Sequence, residues 1–314
     1  MRALHITTPL LQHRLPSHHG RPGMPLLLKL ENLQPSGSFK LRGIGLMCQR
    51  AVAAGATHLV CPSGGNAGFA AAVAGAALGV RITIVVPLTT PATVCDKIRT
   101  IGAELIIAGA VWDEANAVAL AMCEAPGAVY VPPFDHPDIW DGNATLIDEA
   151  VVQAQAMQCE FDVVICAVGG GGLLCGVLEG LHRNARADVP VIAVETNGAA
   201  SFHAAIEAGS LVTLPEISSI AVTLGAKRVA QAAFDWRRRH ELHSITVSDA
   251  QAVHACLRFA DDLRMLVEPA CGAALAVAYQ DLPVLSGFEK PLIVVCGGIG
   301  VDLAKLTNWQ HQFA

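Results

Sequence analysis

The chain has 314 residues, of which 53% are hydrophobic, 15% charged and 5% aromatic, with a formal net charge of -6. That length exceeds what one hydrophobic core usually organises, so two domains or one large α/β unit are expected. An acidic balance without a basic stripe argues against a nucleic-acid partner, and the run Arg237-Arg238-Arg239 reads as a solvated helix face.

Along the chain, the opening MRALHITTPLLQHRLPS has a short apolar stretch broken by Thr, Pro, Gln and His, which is no secretory signal pattern. His18-His19 is an isolated pair in a loop-like segment, where an ordinary loop is favoured over a metal site. ENLQPSGSFKLRGIG then places a single amine, Lys40, behind an aromatic and a run of small residues. Short β-branched runs alternate with Ala-rich helical patterns from there on. Strands are predicted at 58–61, 81–86, 104–107, 128–131, 162–168, 191–195, 243–247 and 292–296. This alternation implies βαβ units and mostly parallel sheets flanked by helices, an α/β chain. The segment from Leu59 to Val80 carries no charge and approaches the length of a membrane span. Pro62-Ser63-Gly64-Gly65-Asn66 interrupts it, so it reads as strand, tight loop and buried helix. Thr90-Pro91 predicts a helix capped by Thr90 with Pro91 in its first turn, and Ser248-Asp249 caps another running toward Leu263. Val131-Pro132-Pro133-Phe134-Asp135 is the expected crossing between domains, giving a small domain over 37–133 and a large one over 1–36 and 134–314. Ten scattered cysteines without CxxC spacing read as reduced thiols of a cytoplasmic protein.

Three glycine-bearing strand ends carry chemistry. In VICAVGGGGLLCGVLEG a strand runs into Gly169-Gly170-Gly171-Gly172 and a helix starts at once. Backbone N–H groups converge there, which suits a phosphate better than a merely flexible turn. It is not a GxGxxG dinucleotide turn, because no acidic residue stands in the usual context at the end of the partner strand, nor a P-loop, because no Lys-Ser/Thr follows. In VCPSGGNAGFAAAVAGAALG the turn at Ser63, Gly64, Gly65 and Asn66 could hold a carboxylate, or Ser63 or Asn66 could simply cap the helix. In PLIVVCGGIG a buried strand ends in Cys296, which alone would read as a core thiol. Lys40, a phosphate cradle, a carboxylate turn and a strand-end thiol are together the parts needed to hold pyridoxal phosphate and an amino acid.

These segments, with EPACGAA (Glu268 to Ala274), VPPFDHPDIWDG, VETNGAASFHAA and LPEISSIAVTLGAK, resemble the serine/threonine dehydratases among the fold-type II, tryptophan synthase β-like pyridoxal-phosphate enzymes. The likeness covers nearly the whole chain and is strongest to the short mammalian-type L-serine dehydratases and their dehydratase-like relatives. It implies two domains, each a mostly parallel sheet flanked by helices, and pyridoxal 5'-phosphate as cofactor. It implies Lys40 as the Schiff-base lysine, Phe39 against the cofactor ring, Asn66 on its 3-oxygen, Gly169, Gly170, Gly171 and Gly172 on its phosphate, and Cys296 at its ring nitrogen. Ser63, Gly64, Gly65 and Asn66 would take the substrate carboxylate. Carbonyls of Gly169, Ala199, Leu224 and Ala226, with Glu195 nearby, match the places of a monovalent cation, commonly K+. The implied reaction converts L-serine to pyruvate and L-threonine to 2-oxobutanoate with release of ammonia, in a homodimer without membrane association. Cysteine synthase or racemase activity on the same fold, and a nicotinamide-dependent oxidoreductase on another, are the alternatives.

Racemases of this type carry serine at the position of Gly64, and more active dehydratases carry alanine. Glycine predicts weak racemisation and extra room that loosens the substrate, so Gly64→Ala is expected to raise kcat/KM on L-serine. Only Ile299 to Ala314 follow the last strand, too few for a regulatory domain, which points to a catabolic role.

Overall fold

The computed structural model describes residues 2–15 and 24–313; the His18-His19 pair lies outside them. The chain divides into two compact units, Met1–Ile6 with Gln34–Asn143, and Thr7–Leu33 with Ala144–Ala314. The first unit therefore includes the chain start and continues past the prolines at 132 and 133.

The second unit opens with β1 (Leu10–Arg14) and β2 (Pro25–Leu30). The first unit follows with α1 (Lys40–Ala53), β3 (His58–Cys61), α2 (Asn66–Leu78), β4 (Arg81–Val86), α3 (Ala92–Thr100), β5 (Glu104–Ile107), α4 (Trp112–Met122) and β6 (Ala128–Tyr130), and α5 (Pro137–Ala156) begins in it. The second unit resumes with β7 (Val163–Ala167), α6 (Gly172–Arg183), β8 (Val191–Thr196), α7 (Ser201–Ala208), α8 (Gln231–Asp235), β9 (Leu242–Val247), α9 (Asp249–Leu263), α10 (Pro269–Tyr279), β10 (Pro291–Val295) and α11 (Leu303–Gln312).

In the first unit the sheet order is β5-β4-β3-β6, all parallel. Its two faces follow the period of two. Leu59, Cys61, Ile82 and Ile84 pack with α1, α2 and Ile98 of α3. Val60 and Val85 point the other way, onto Ala115 and Ala119 of α4. α2 is apolar all round and accordingly buried, with Gly75 set so close to Ile82 that a Cβ would lie 2.6 Å from its Cγ2. α1 and α5 touch backbone to backbone. A Cβ on Gly142 would overlap the Arg42 carbonyl and sit 2.7 Å from the Gly43 Cα, and one on Gly43 would overlap the Ile139 carbonyl.

In the second unit the order is β1-β2-β10-β7-β8-β9, parallel except for β1 on β2. β7 and β10 are buried along their whole length, as central strands covered on both faces must be.

The eight predicted strands occur within a residue or two of expectation, whereas β1 and β2 were not anticipated. Lys29 in PLLLKL disguises β2. It is fully buried, and its ammonium donates to Glu149 Oε2 (2.7 Å), Gln153 Oε1 (2.9 Å) and the Thr8 carbonyl (2.8 Å), so the cost of burying the charge is met by partners distant in sequence. Ser248 caps α9 in a full capping box with Gln251. The expected Thr90 cap does not form. Pro91, with ψ 139°, occupies the cap position itself and its carbonyl receives the Val94 and Cys95 N–H groups. Arg237 to Arg239 are not a plain solvated helix face: Arg237 and Arg239 lie 3.5 and 4.2 Å from the ring centres of Phe234 and Trp236, around a short 3-10 turn.

His58 is buried, with Nε2 2.8 Å from Thr83 Oγ1, whose hydroxyl donates to Glu104 Oε2 at 3.0 Å. Thr83 thus accepts from a neutral imidazole. Burial, then the Arg81 charge, hold the His58 pKa below its ordinary value. A lowered folded-state pKa means that the unfolded chain binds the proton more readily. The stabilisation is complete above the unfolded value of about 6.5, begins to be lost as pH falls below it, and is gone once pH has fallen through the lower folded value. His58→Gln should therefore flatten, without abolishing, the loss of thermal stability between about pH 7 and pH 5, because His240 is also held low by burial. Gly142→Ala should cost about 1–3 kcal/mol, seen as a lower denaturation midpoint, because backbone on both sides blocks the added methyl.

Candidate active site

Each sheet reverses its strand order between two neighbouring strands. In the first unit the chain steps outward through β3, β4 and β5 and then returns to the far side of β3 as β6. In the second it steps through β7, β8 and β9 and returns beside β7 as β10. Turns leaving the carboxyl ends of strands at such a reversal diverge to opposite faces and leave a crevice, the usual ligand position in open α/β sheets.

In the first unit two segments leave the sheet at this reversal. Cys61 ends β3 and leads into the 62–66 turn; β6 leads into the 131–133 segment. The half-buried Lys40, first residue of α1, donates from Nζ to the Pro133 carbonyl at 2.6 Å, and Nζ lies 5.2 Å from the ring centre of buried Phe39. The amine is also near enough to Cys61 to pull its thiol pKa down, although burial dominates and drives that pKa far up. Gly65 caps α2 through backbone alone; neither Ser63 nor Asn66 acts as a side-chain cap. Ser63 Oγ instead accepts from the Gly65 N–H at 3.3 Å, and its carbonyl lies so close to Gly68 that a Cβ there would overlap it. Asn66 is buried at the first position of α2. Outside the turn, Trp112 donates its indole N–H to the Pro62 carbonyl at 2.6 Å.

The space beside Gly64 is not vacant. A Cβ would stand 2.8 Å from Thr90 Cγ2 and 3.2 Å from Val86 Cγ1. The expected extra room is filled by a neighbouring side chain, which corrects the idea that alanine would tighten the site.

In the second unit, Gly169 to Gly172 join β7 to α6, with Gly171 at φ 93° as the backbone cap. A side chain on Gly171 would meet Ala233 Cβ at 2.5 Å, and one on Gly169 would meet Leu224 Cα at 3.1 Å and the Thr223 carbonyl at 3.2 Å. At Gly171 glycine is thus required by left-handed backbone and close approach together. β10 pairs with β7 with Ile293 opposite Ile165, so Cys296 leaves the sheet beside the start of the glycine run. A hydrogen bond with Cys271, then burial, raise the Cys296 thiol well above its ordinary value and keep it neutral.

Of the residues expected around a cation, Gly169 and Leu224 abut, and Ala199 is buried just past β8. Glu195, in β8, is fully buried and accepts from the Phe202 (2.9 Å) and His203 (2.6 Å) amides at the start of α7; burial pushes its pKa up to about 8 against those two bonds. Ser201 Oγ, close by in sequence, is buried without a hydrogen-bond partner. Sequence reasoning gave none of Ser201, Thr90, Trp112, Thr223 or the Pro133 carbonyl a place at the site. None sits in a residue pattern that signals its contact.

The profile of the pyridoxal-phosphate dependent enzymes matches residues 2–297. The chain belongs to this family. The human protein named serine dehydratase-like is 47% identical over 96% of this chain and 93% of its own length. Human L-serine dehydratase/L-threonine deaminase is 45% identical over 98% and 95%. The crystal structure of a fungal L-serine ammonia-lyase from Rhizomucor miehei superposes with a TM-score of 0.91 at 37% identity, covering all of both chains. Membership identifies the cofactor as pyridoxal phosphate and the fold as the two-sheet α/β arrangement of this family.

Each unit by itself presents groups that suit that cofactor: the first an amine at its strand-order reversal, the second a side-chain-free cradle, a helix start and a neutral thiol. Gly64→Ala should lower both the denaturation midpoint, by an overpacking cost of about 1–3 kcal/mol, and kcat/KM on L-serine. Thr90→Ser removes the obstructing methyl, so the Gly64→Ala/Thr90→Ser double variant should recover most of the stability lost. An unimpaired Gly64→Ala single variant would contradict the packing.

Proposed function

We propose that this chain is an ammonia-lyase acting on L-serine and L-threonine, yielding pyruvate and 2-oxobutanoate. The observation that carries the proposal is the Lys40 amine fixed at the strand-order reversal of its unit, where β3 delivers the 62–66 turn and β6 delivers Pro133. The names of the curated relatives support the choice of substrates.

In this proposal Lys40 anchors the cofactor aldehyde and Phe39 packs on its ring. Asn66 bonds its 3-oxygen, the amides of Gly169, Gly170, Gly171 and Gly172 take the phosphate, and Cys296 faces the ring nitrogen. When bound, pyridoxal phosphate supplies an electron sink for the pair left at Cα when the proton departs. The backbone of Ser63, Gly64, Gly65 and Asn66 holds the substrate carboxylate against the start of α2, where the helix dipole favours an anion. Once the substrate amine has replaced Lys40 on the aldehyde carbon, the freed Nζ would take the Cα proton. A neutral thiol at Cys296 would provide no counter-charge for the ring nitrogen. Gly64 offers no hydroxyl to return a proton to the opposite face of Cα, which disfavours racemisation. Carbonyls of Gly169, Ala199, Leu224 and Ala226, with Glu195 and the orphan Ser201 hydroxyl, form the set for a monovalent cation such as K+, whose charge would also favour the ionised Glu195. The same proposal has a small domain and a large cofactor-binding domain in a cytoplasmic homodimer. No helix among the described residues is long and apolar enough to cross a membrane.

Purified protein given L-serine and L-threonine side by side should release ammonia and the matching keto acid in equal amounts. Borohydride should fix the cofactor to the peptide bearing Lys40, and Lys40→Ala should lose at least about 100-fold in kcat, the low end for a removed general base. Fixation at any other lysine would refute the assignment.

A further inference from the structure

Glu268 is a buried carboxylate to which the proposed chemistry gives no task. It stands at the cap position of α10, directly before Pro269, and is 3% exposed. Oε1 accepts from the Thr223 hydroxyl at 2.6 Å and Oε2 from the Gly300 N–H at 3.3 Å. Gly298, at φ 132°, packs so tightly on the carboxylate that a Cβ there would overlap it. One side chain therefore ties two segments of the second unit. One is the 222–224 turn, whose Thr223 carbonyl and Leu224 back onto Gly169. The other is the 297–300 loop that leaves β10 behind Cys296. Burying a carboxyl group is unfavourable unless its oxygens are bonded, and both oxygens of Glu268 are.

We propose that Glu268 is a positioning residue: by holding the 297–300 loop to Thr223, it sets where Cys296 stands relative to the glycine run. The inference rests on the assignment of Cys296 to the cofactor ring nitrogen. The Thr223 hydroxyl then influences the ring environment through Glu268, apart from the backbone contact of Thr223 with Gly169. The hydroxyl, not the bulk of the side chain, carries the effect.

The test compares holoenzymes carrying Thr223→Val, Thr223→Ser, Glu268→Gln, Glu268→Ala and the Thr223→Val/Glu268→Ala pair. The readouts are the visible absorbance and fluorescence of the bound cofactor and its retention on dilution. Thr223→Val, equal in volume but without the hydroxyl, should shift the spectrum and weaken retention about tenfold, the scale of one such bond. Thr223→Ser should behave as wild type. Glu268→Gln, which can still accept from Gly300 and donate to the Thr223 oxygen, should retain most of the wild-type signal. The double variant should be no worse than Glu268→Ala alone, because both changes cut the same tie. A wild-type spectrum and retention in Thr223→Val, or additive losses in the pair, would overturn the proposal; if Glu268→Ala does not fold, Thr223→Val against Thr223→Ser decides. Wild type that binds no cofactor at Lys40 would instead be a failure of the functional assignment itself.

Discussion

In both units a parallel sheet reverses its strand order between two adjacent strands, and every residue given a chemical task lies at or near a segment leaving the carboxyl end of a strand. At β3 and β6 the reversal brings the 62–66 turn and the Pro133 carbonyl to the edge that Lys40 reaches. At β7 and β10 it brings the glycine run and Cys296 off neighbouring strands. Connections that diverge to opposite faces leave those ends uncovered. Glycine recurs in the segments that leave these strand ends, at 64, 65, 169 to 172, 297 and 298.

Glycine at these places answers two different demands. At Gly171 the backbone is left-handed and Ala233 closes off the Cβ position, so conformation and space both exclude a side chain. At Gly64 the demand is space alone: Thr90 and Val86 already fill the place of a methyl. The wall beside residue 64 is thus built by a residue far along the chain. The identity of position 64 cannot be interpreted without its neighbour. Buried polar groups follow similar logic. Lys29, Glu195 and Glu268 each sit in the interior because their atoms are bonded to partners distant in sequence or at a helix start.

Much of the architecture was legible because burial leaves a periodic trace. Central strands of parallel sheets read as unbroken Val/Ile runs, and six of the eight predicted ones begin or end at the observed residue. Ser248 was recognisable as a cap because its signal is local: a hydroxyl followed by Asp249 at the start of a helical pattern, and the structure adds Gln251 as its partner. Thr90 was misjudged by the same rule, since Pro91 holds an extended ψ and takes the cap position itself. β2 escaped notice because Lys29 breaks the apolar run, and nothing local shows that α5 will supply Glu149 and Gln153. EPACGAA was recognisable as a family run, yet the partners of Glu268 lie 45 and 32 positions away in sequence.

The sequence by itself determined the α/β class, the alternation of strands and helices, the glycine-rich turns and the lysine that marks the family, because each is a local pattern of residue type and period. Only the tertiary structure decided which turns share a strand-order reversal, which carbonyl receives the Lys40 amine, what occupies the space beside Gly64 and what Glu268 holds. Those are contacts between segments dozens of residues apart, set by sheet order and close packing, and no neighbouring residue along the chain records them.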